Sequence, residues 1–172
     1  MLNKKYMKPE QTKISIALTD GNVVVLSFVT KEFAPDGNVN WEREANAENI
    51  NAEIVKAGFR AASWRIITDA DIPESREFRN AWRDNGSGKI AHDMVKVKGV
   101  HLGRLREARL PMFEQLDAEW MKATGQKDNK KADEVEAKRQ KLRDITVVAQ
   151  PLLDAAQTVD EVKAITLESL LA

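Results

Sequence analysis

The sequence has no cysteine in its 172 residues. This absence excludes a disulfide framework, thiolate chemistry and a zinc site with cysteine ligands. It leaves the compartment open, because proteins of the cytosol and of extracellular particles can both lack cysteine.

The sequence also lacks an excess of charge of either sign. Lys plus Arg and Asp plus Glu both number 27, so the formal net charge is zero. A general nucleic-acid-binding protein needs positive charge to neutralise phosphates, so we do not expect nucleic acid as a partner. A local basic surface is compatible with this balance. The high charged fraction of 31% predicts a large area of solvated helix surface.

Long hydrophobic runs are absent as well. No stretch approaches 18 consecutive apolar residues, so the sequence predicts a soluble protein without a membrane partner. Residues 1–12 are polar, contain Pro9 and have no apolar segment typical of a secretory signal. We expect this segment to be a loosely held arm.

A β-hairpin is the clearest local prediction. Apolar residues alternate from Ile14 to Leu18, and residues 23–29 are rich in β-branched side chains. The turn sequence Asp20-Gly21-Asn22 separates them. An isolated hairpin is only marginally stable in water, so it needs a partner. Residues 63–67 (SWRII) of the same chain, or a neighbouring chain, would supply it.

The other elements before residue 90 are predicted to be short. Residues 31–42 contain Pro35 and Asp36-Gly37 and are predicted to form a loop. A helix is predicted over Ala47–Ala57, ended by Gly58. We place the β-rich part at residues 1–61. A helical domain over residues 62–172 should begin with a helix at residues 74–82, where Phe78, Ala81 and Trp82 share one face.

The stretch from residue 93 to residue 146 predicts a long antiparallel helical hairpin. Its first helix, residues 93–124, carries an apolar stripe interrupted by Pro111, which predicts a kink or two joined helices near Leu110. The second helix, residues 129–146, has a narrow apolar seam interrupted by Arg139. We therefore expect the hairpin to project. After Gln150-Pro151, the capping box of Thr158 and Glu161 predicts a last short helix.

Side chains of the predicted hairpin are the candidates for protein contact. Large aromatic residues are frequent hot spots of interfaces when they are exposed, whereas a buried one would only lock the turn. The candidates are Trp120, Phe113, Leu116, Val135 and Leu142.

No arrangement of residues predicts catalysis, a metal or a cofactor. Gly86-Ser87-Gly88-Lys89 lacks the first glycine and the final Ser or Thr of a phosphate-binding loop, which favours an ordinary loop. His92 and His101 are nine residues apart and have no metal-binding motif around them. Asp93 is predicted to cap a helix or to bond to His92.

Arginine and aromatic residues alternate over residues 60–83. Such a pattern can bind single-stranded nucleic acid. Its apolar spacing favours instead a small core of Trp64, Phe78 and Trp82, with the arginines outside and paired to carboxylates such as Asp84.

Several segments together resemble a known group of proteins. They are WRII at 64–67, FRNAW at 78–82, the helix sequence HLGRLREARLPMFEQLDAEWMKA at 101–123, KRQKLRD at 138–144 and AAQTVDEVK at 155–163. They resemble small, mostly uncharacterised proteins encoded in the tail and tail-fibre gene regions of tailed bacteriophages and prophages. The resemblance covers about residues 62–165. It implies no catalytic residues.

The sequence therefore predicts an α+β, mainly helical protein with an N-terminal β-hairpin and a long helical hairpin. We expect no enzyme and no cofactor. From the resemblance we expect a structural or assembly protein of a tailed bacteriophage, located in the virion or, during assembly, in the host cytoplasm. Its partners would be other phage structural proteins, in a homo-oligomer or as an embedded subunit. The alternative is a small phage effector that binds and inhibits a host protein or defence complex.

Overall fold

The structure of the chain, a computed structural model, describes residues 7–172. It is an α+β protein that divides into two compact units, Met1–His92 and Asp93–Ala172. The first unit is built on an antiparallel sheet, and the second is helical. The predicted α+β class is thus confirmed. The predicted arm lies partly outside the described residues, and its last residues, 10–12, belong to the first strand.

The first unit contains strands, one α-helix and two 3₁₀ turns. In chain order, the strands and the α-helix are β1 (Glu10–Leu18), β2 (Val23–Phe33), β3 (Val39–Glu42), α1 (Ala47–Lys56), β4 (Ala61–Ile67), β5 (Trp82–Arg83) and β6 (Ala91–His92). The 3₁₀ turns are Asp69–Asp71 and Arg79–Ala81. The main sheet has the order β3-β2-β1-β4 with every neighbouring pair antiparallel, and β5 pairs with β6 separately.

The predicted hairpin is confirmed. Strands β1 and β2 pair in register from Ile14↔Leu26 to Ala17↔Val23, and Gly21 between them has a φ of 78°. The predicted third strand is also confirmed, because β4 pairs with β1. The partner that the hairpin needs is therefore supplied by the same chain.

The prediction of a loop over residues 31–42 is wrong. Strand β2 continues to Phe33 and pairs with β3, with Lys31 opposite Glu42. Only residues 34–38 form the turn, in which Gly37 has a φ of 89°. The polar composition suggested a loop. Pairing with β3, however, gives hydrogen-bond partners to backbone groups of β2 that would otherwise be exposed to water.

One face of the sheet carries the main core of the first unit. Ile14, Ile16 and Phe28 are fully buried there with Ile50 and Ile54 of α1. Helix α1 ends as predicted at Gly58, which has a φ of 76°. The amides of Gly58 and Phe59 donate to the carbonyls of Val55 and Ile54, the hydrogen-bond pattern of a Schellman motif.

The opposite face of the sheet is covered in part by residues 68–92. Ile67 packs there with Trp82 and Ile90, and with half-buried Val23, Val25 and Ile72 around them.

The helix predicted over residues 74–82 is wrong, since the segment forms only the 3₁₀ turn at Arg79–Ala81 before β5. Phe78, Ala81 and Trp82 are nevertheless buried. Fewer than three turns of weak helical pattern are easily overridden by packing on a sheet.

The boundary between the units lies between His92 and Asp93, whereas the sequence placed it between residues 61 and 62. Residues 62–67 belong to β4 and pair with β1, and residues 68–92 cover the sheet. The sequence predicted a strand at residues 63–67 but placed it with the helical domain, and its pairing with β1 assigns it to the unit of the sheet.

The second unit contains α2 (Met94–Ala108), α3 (Leu110–Gly125), α4 (Asn129–Ala155), α5 (Val159–Ala164) and α6 (Leu167–Leu171). Helix α4 packs against α2, α3 and α6, and α2 packs against α5. Asp93 caps α2, as predicted, by accepting from the amides of Val95 and Lys96. The predicted junction near Leu110 is confirmed, since α2 and α3 are separate helices that meet at Arg109.

Helix α4 is longer than predicted. It continues from Thr146 through Pro151 to Ala155. Its buried residues Leu142, Ile145, Ala149 and Leu153 follow a spacing of three and four, so packing along this face extends past the proline. The predicted capping box then begins α5: Thr158 accepts from the Glu161 amide at 3.2 Å, and Glu161 accepts from the Thr158 amide at 3.4 Å.

No helix within residues 7–172 combines the length and the apolar character needed to cross a lipid bilayer.

Candidate functional site

The five predicted contact residues differ widely in exposure. Val135 and Leu142 are buried, with 0% and 1% exposure, and so already contribute to the interior of the helical unit. Phe113 and Leu116 are half-buried. Trp120 is 36% exposed, so it is the member of the set most available to a partner.

Arg139, which interrupts the apolar seam of α4, connects this helix to α3. Its Nη2 lies 2.8 Å from Oδ1 of Asp117, and its Nη1 lies 2.5 Å from Oε2 of Glu136. The guanidinium also lies over the ring of Trp120, 5.5 Å from the ring centroid. A charged group in the seam is thus paired with two carboxylates and stacked on an aromatic ring.

Arg109 makes a second connection to α4. Its Nη1 donates to the carbonyls of Leu142 and Arg143 at 2.9 Å and 3.1 Å. Because Arg109 is the residue between α2 and α3, these bonds fix the junction of the two helices on the middle of α4.

An exposed apolar surface lies on the part of α4 that the sequence did not predict as helix. Val147 is 71% exposed, and Val148 and Leu152 are each 49% exposed. Together with exposed Pro151 they occupy adjacent positions at spacings of one, three and four, and we call these four residues the α4 patch.

A shallow cavity of about 490 Å³ adjoins the α4 patch. It is lined by Arg106, Thr146, Val147, Gln150, Pro151 and Asp154. Arg106 of α2 and Asp154 of α4 give the cavity one charge of each sign. The α4 patch is therefore an apolar surface with polar groups at its margin.

A larger cavity lies in the first unit, between one face of the sheet and residues 72–82. We call it the sheet groove. Its volume is about 740 Å³. It is lined by Gln11, Lys13, Leu18, Asn22, Val23, Val24, Val25, Ser27, Ile72, Arg76, Arg79, Asn80 and Trp82. The lining thus contains three cationic side chains and no carboxylate.

A buried polar network lies on the same face of the sheet. Asp84, whose side chain is 4% exposed, accepts from Nε of Arg65 at 3.0 Å, from the amide of Gly86 at 2.9 Å and from the hydroxyl of Ser15. Nη2 of Arg65 also donates to the carbonyl of Gly88 at 2.6 Å. The network holds the loop of residues 84–88 on β1 and β4.

A cavity of about 250 Å³ adjoins this network and is lined in part by Ser15, Ser63, Arg65 and Asp84. Burial alone would raise the pKa of the Asp84 carboxyl. Hydrogen bonds from Ser15, from the Gly86 amide and from Arg65 outweigh burial and hold the pKa of Asp84 below its ordinary value. The carboxylate form is thus the form that the network stabilises.

The two histidines lie in different units, His92 in the first and His101 in the second. Buried His101 donates from Nε2 to the carbonyl of Ile165 at 2.7 Å, which ties α2 to the residue that follows α5. His92 lies in β6 of the first unit, opposite Trp82, where burial lowers its pKa. Within residues 7–172, no group of three or more His, Asp or Glu side chains converges as metal ligands.

The loop Gly86-Ser87-Gly88-Lys89 connects β5 to β6. A phosphate-binding loop leads directly from a strand into a helix, whose N-terminus and backbone amides hold the phosphate. Here β6 follows the loop, and α2 begins only at Met94. The ordinary loop favoured by the sequence is thus the arrangement found, with Arg65 and Asp84 anchoring it.

Sequence reasoning missed both the α4 patch and the sheet groove. The patch carried a detectable signal, since Val147, Val148 and Leu152 continue an apolar sequence beyond Thr146. The sheet groove had no detectable signal in the sequence, because Lys13 is more than 60 residues from Arg76 and Arg79 along the chain. Comparisons with family models, curated protein sequences and solved structures found no match to this chain.

Proposed function

We propose that this chain is a non-enzymatic structural or assembly protein of a tailed bacteriophage that acts through protein–protein contacts of its helical unit. The phage setting rests on the sequence resemblance of residues 62–165. The contact function rests on one structural observation, the α4 patch. Its three largest apolar side chains are about half exposed or more. A cluster of this kind at a helix surface is typical of an interaction site.

The contacts between α3 and α4 support the predicted helical hairpin over residues 93–146, and the continuation of α4 beyond Thr146 presents the α4 patch. Asp117 is joined to Arg139, and Arg109 is joined to Leu142 and Arg143. The residue that lies earlier in the chain, Arg109, thus contacts a later part of α4 than Asp117 does. This is the relation expected for antiparallel helices. In this proposal the hairpin positions Trp120 and the α4 patch for partners in the virion, or for assembly factors in the host cytoplasm.

Mass spectrometry of purified particles of the encoding phage tests the proposal. We expect the chain at a stoichiometric copy number in mature particles or in assembly intermediates. A double variant, Val148→Lys with Leu152→Lys, should be lost from these particles because lysine cannot be buried unpaired at an interface.

A matched control adds the same charge at exposed positions outside the α4 patch, Ala118→Lys with Ala137→Lys. This control should still be incorporated, and circular dichroism should show that both variants are folded. Absence of the wild-type chain from every particle and intermediate, with recovery on a host protein instead, would favour the effector and refute the structural function.

A further inference from the structure

We propose that the sheet groove binds a small organic anion, with a phosphate or carboxylate group at its basic side chains and a flat apolar body on its valines and Trp82. This inference concerns the first unit and does not depend on the function proposed for the helical unit.

The size of the groove suits a small ligand. Its volume of about 740 Å³ lies within the range of roughly 300–1,000 Å³ typical of small-molecule sites. Such sites combine apolar walls with a few polar groups that orient the ligand. The sheet groove has both kinds of lining, with Val23, Val25, Ile72 and Trp82 as apolar lining and amides at Gln11, Asn22 and Asn80, and polar residues form the larger part of it.

The charge of the groove selects an anion. Lys13, Arg76 and Arg79 line it without any carboxylate in the lining. Within residues 7–172, neither Arg76 nor Arg79 forms an ion pair, so both guanidinium groups are available. A guanidinium presents paired N–H donors that match the oxygens of a phosphate or carboxylate.

The ammonium of Lys13 is paired with Asp69. The side chain of Asp69 is 80% exposed, and pairs of this kind contribute little stability. A ligand oxygen can therefore replace the Asp69 carboxylate at small cost, and Lys13 becomes the third cation of the site.

The apolar lining explains why the ligand should carry a flat ring as well as a charge. Val23, Val25 and Ile72 are only half-buried although they pack against the buried cluster of Ile67, Trp82 and Ile90. A ring placed on these side chains removes their remaining apolar surface from water. The indole N–H of Trp82 is buried and has no acceptor among the described residues, so its resonance offers a local reporter.

Titration of the ¹⁵N-labelled chain of residues 1–172 tests the proposal. The protein has four tryptophans, and Trp82→Phe assigns the indole signal of interest. The probes are AMP, adenosine, inorganic phosphate and benzoate. We expect AMP or benzoate to shift the indole resonance of Trp82 and to leave that of Trp120 unchanged. Adenosine and inorganic phosphate should each bind at least about tenfold more weakly than AMP, because each offers only half of the contacts.

Two pairs of variants separate the groove from general electrostatic attraction. Arg76→Gln with Arg79→Gln should weaken binding of the preferred anion by about tenfold or more. Arg60→Gln with Arg83→Gln removes the same charge from exposed positions outside the groove and should change binding by less than about twofold.

Each of three results would overturn the proposal. The first is that no anionic probe shifts Trp82 at millimolar concentration. The second is an equal loss of affinity in both pairs of variants. The third is binding of an acidic peptide without binding of AMP or benzoate, which would identify the groove as a protein-binding surface.

Discussion

Replacing Asp84 should destabilise the first unit strongly, because this carboxylate is the acceptor shared by β1, β4 and the loop after β5. Asp84→Ala leaves the buried hydroxyl of Ser15 and the partly buried guanidinium of Arg65 without their partner. Removing one member of a buried ion pair costs roughly 3–5 kcal/mol. Arg65 keeps its bond to Gly88 and is 21% exposed, which places the expected loss near the lower limit, at about 3 kcal/mol.

The conservative variant Asp84→Asn separates charge from shape. The Gly86 amide and the Ser15 hydroxyl donate to different oxygens of Asp84. Asparagine keeps one acceptor oxygen, for the Gly86 amide, and its NH2 group can donate to the Ser15 oxygen, but it cannot neutralise Arg65. Hydrogen bonds to charged groups contribute about 1.5–3 kcal/mol, so this variant should lose about 2 kcal/mol. Asp84→Ala with Arg65→Ala should lose less than the sum of the single changes by about 1–2 kcal/mol, because the two residues share one interaction.

Urea unfolding followed by tryptophan fluorescence measures these losses. Three of the four tryptophans, Trp41, Trp64 and Trp82, lie in the first unit, so a Trp120→Phe background confines the signal to it. With a slope of roughly 1.5–2 kcal/mol per molar urea, Asp84→Ala should lower the midpoint by about 1.5–2 M. A loss below about 1 kcal/mol, or strict additivity with Arg65→Ala, would refute the reasoning.

The hydrogen bonds around Asp84 also make the stability of the folded chain depend on pH. The pKa of Asp84 is lower in the folded chain than its ordinary value, so the folded state binds fewer protons than the unfolded state near that pH. The stability due to Asp84 is therefore complete above the unfolded pKa of about 3.9 and is lost as the pH falls towards the lower folded pKa. The stability difference between wild type and Asp84→Asn should narrow below about pH 4. A constant difference from pH 7 to pH 3 would contradict this.

Two further predictions concern the helical unit. Lys127→Gly should raise the free energy of unfolding by about 0.5–1 kcal/mol, because Lys127 has a φ of 58° where glycine is less strained; Lys127→Ala should leave it unchanged, and urea unfolding followed by circular dichroism measures both. Arg109→Ala should lower the melting temperature through a loss of about 1–3 kcal/mol, since it removes the donors to the carbonyls of Leu142 and Arg143, and Arg109→Lys should restore only part of the loss.

The elements that could be predicted from the sequence are those whose cause is local. Gly58 ends α1 because glycine adopts positive φ without strain, and Asp93 begins α2 because its carboxylate accepts from free amides. Thr158 and Glu161 begin α5 for the same reason. In each case the residues that determine the helix end lie within four positions of one another, so the local sequence is sufficient to predict it.

Predictions failed where a contact with a distant residue determines the structure. The spacing of Phe78, Ala81 and Trp82 fits a helix, but Trp82 pairs with His92 and packs on Ile67 of β4. Pro151 removes one hydrogen bond from α4, yet burial of Ala149 and Leu153 on either side keeps the chain helical. The preference of a short segment for helix or turn contributes a few kcal/mol at most to the free energy of folding. Burial of a few apolar side chains contributes more.

The sheet groove shows why net charge alone is a poor guide to a binding surface. Lys13 of the groove is paired with exposed Asp69. Arg76 and Arg79 are balanced in the composition by carboxylates elsewhere, such as Asp84, which already neutralises Arg65. Asp84 faces the smaller cavity, and no carboxylate lines the groove. A chain of zero net charge can thus concentrate positive potential at one place by assigning its carboxylates to partners. Asp84→Asn would leave the cations of the groove unchanged but would remove the negative charge that neutralises Arg65. If that variant binds the anion as wild type does, attraction depends on the lining alone, and not on the summed charge of the unit.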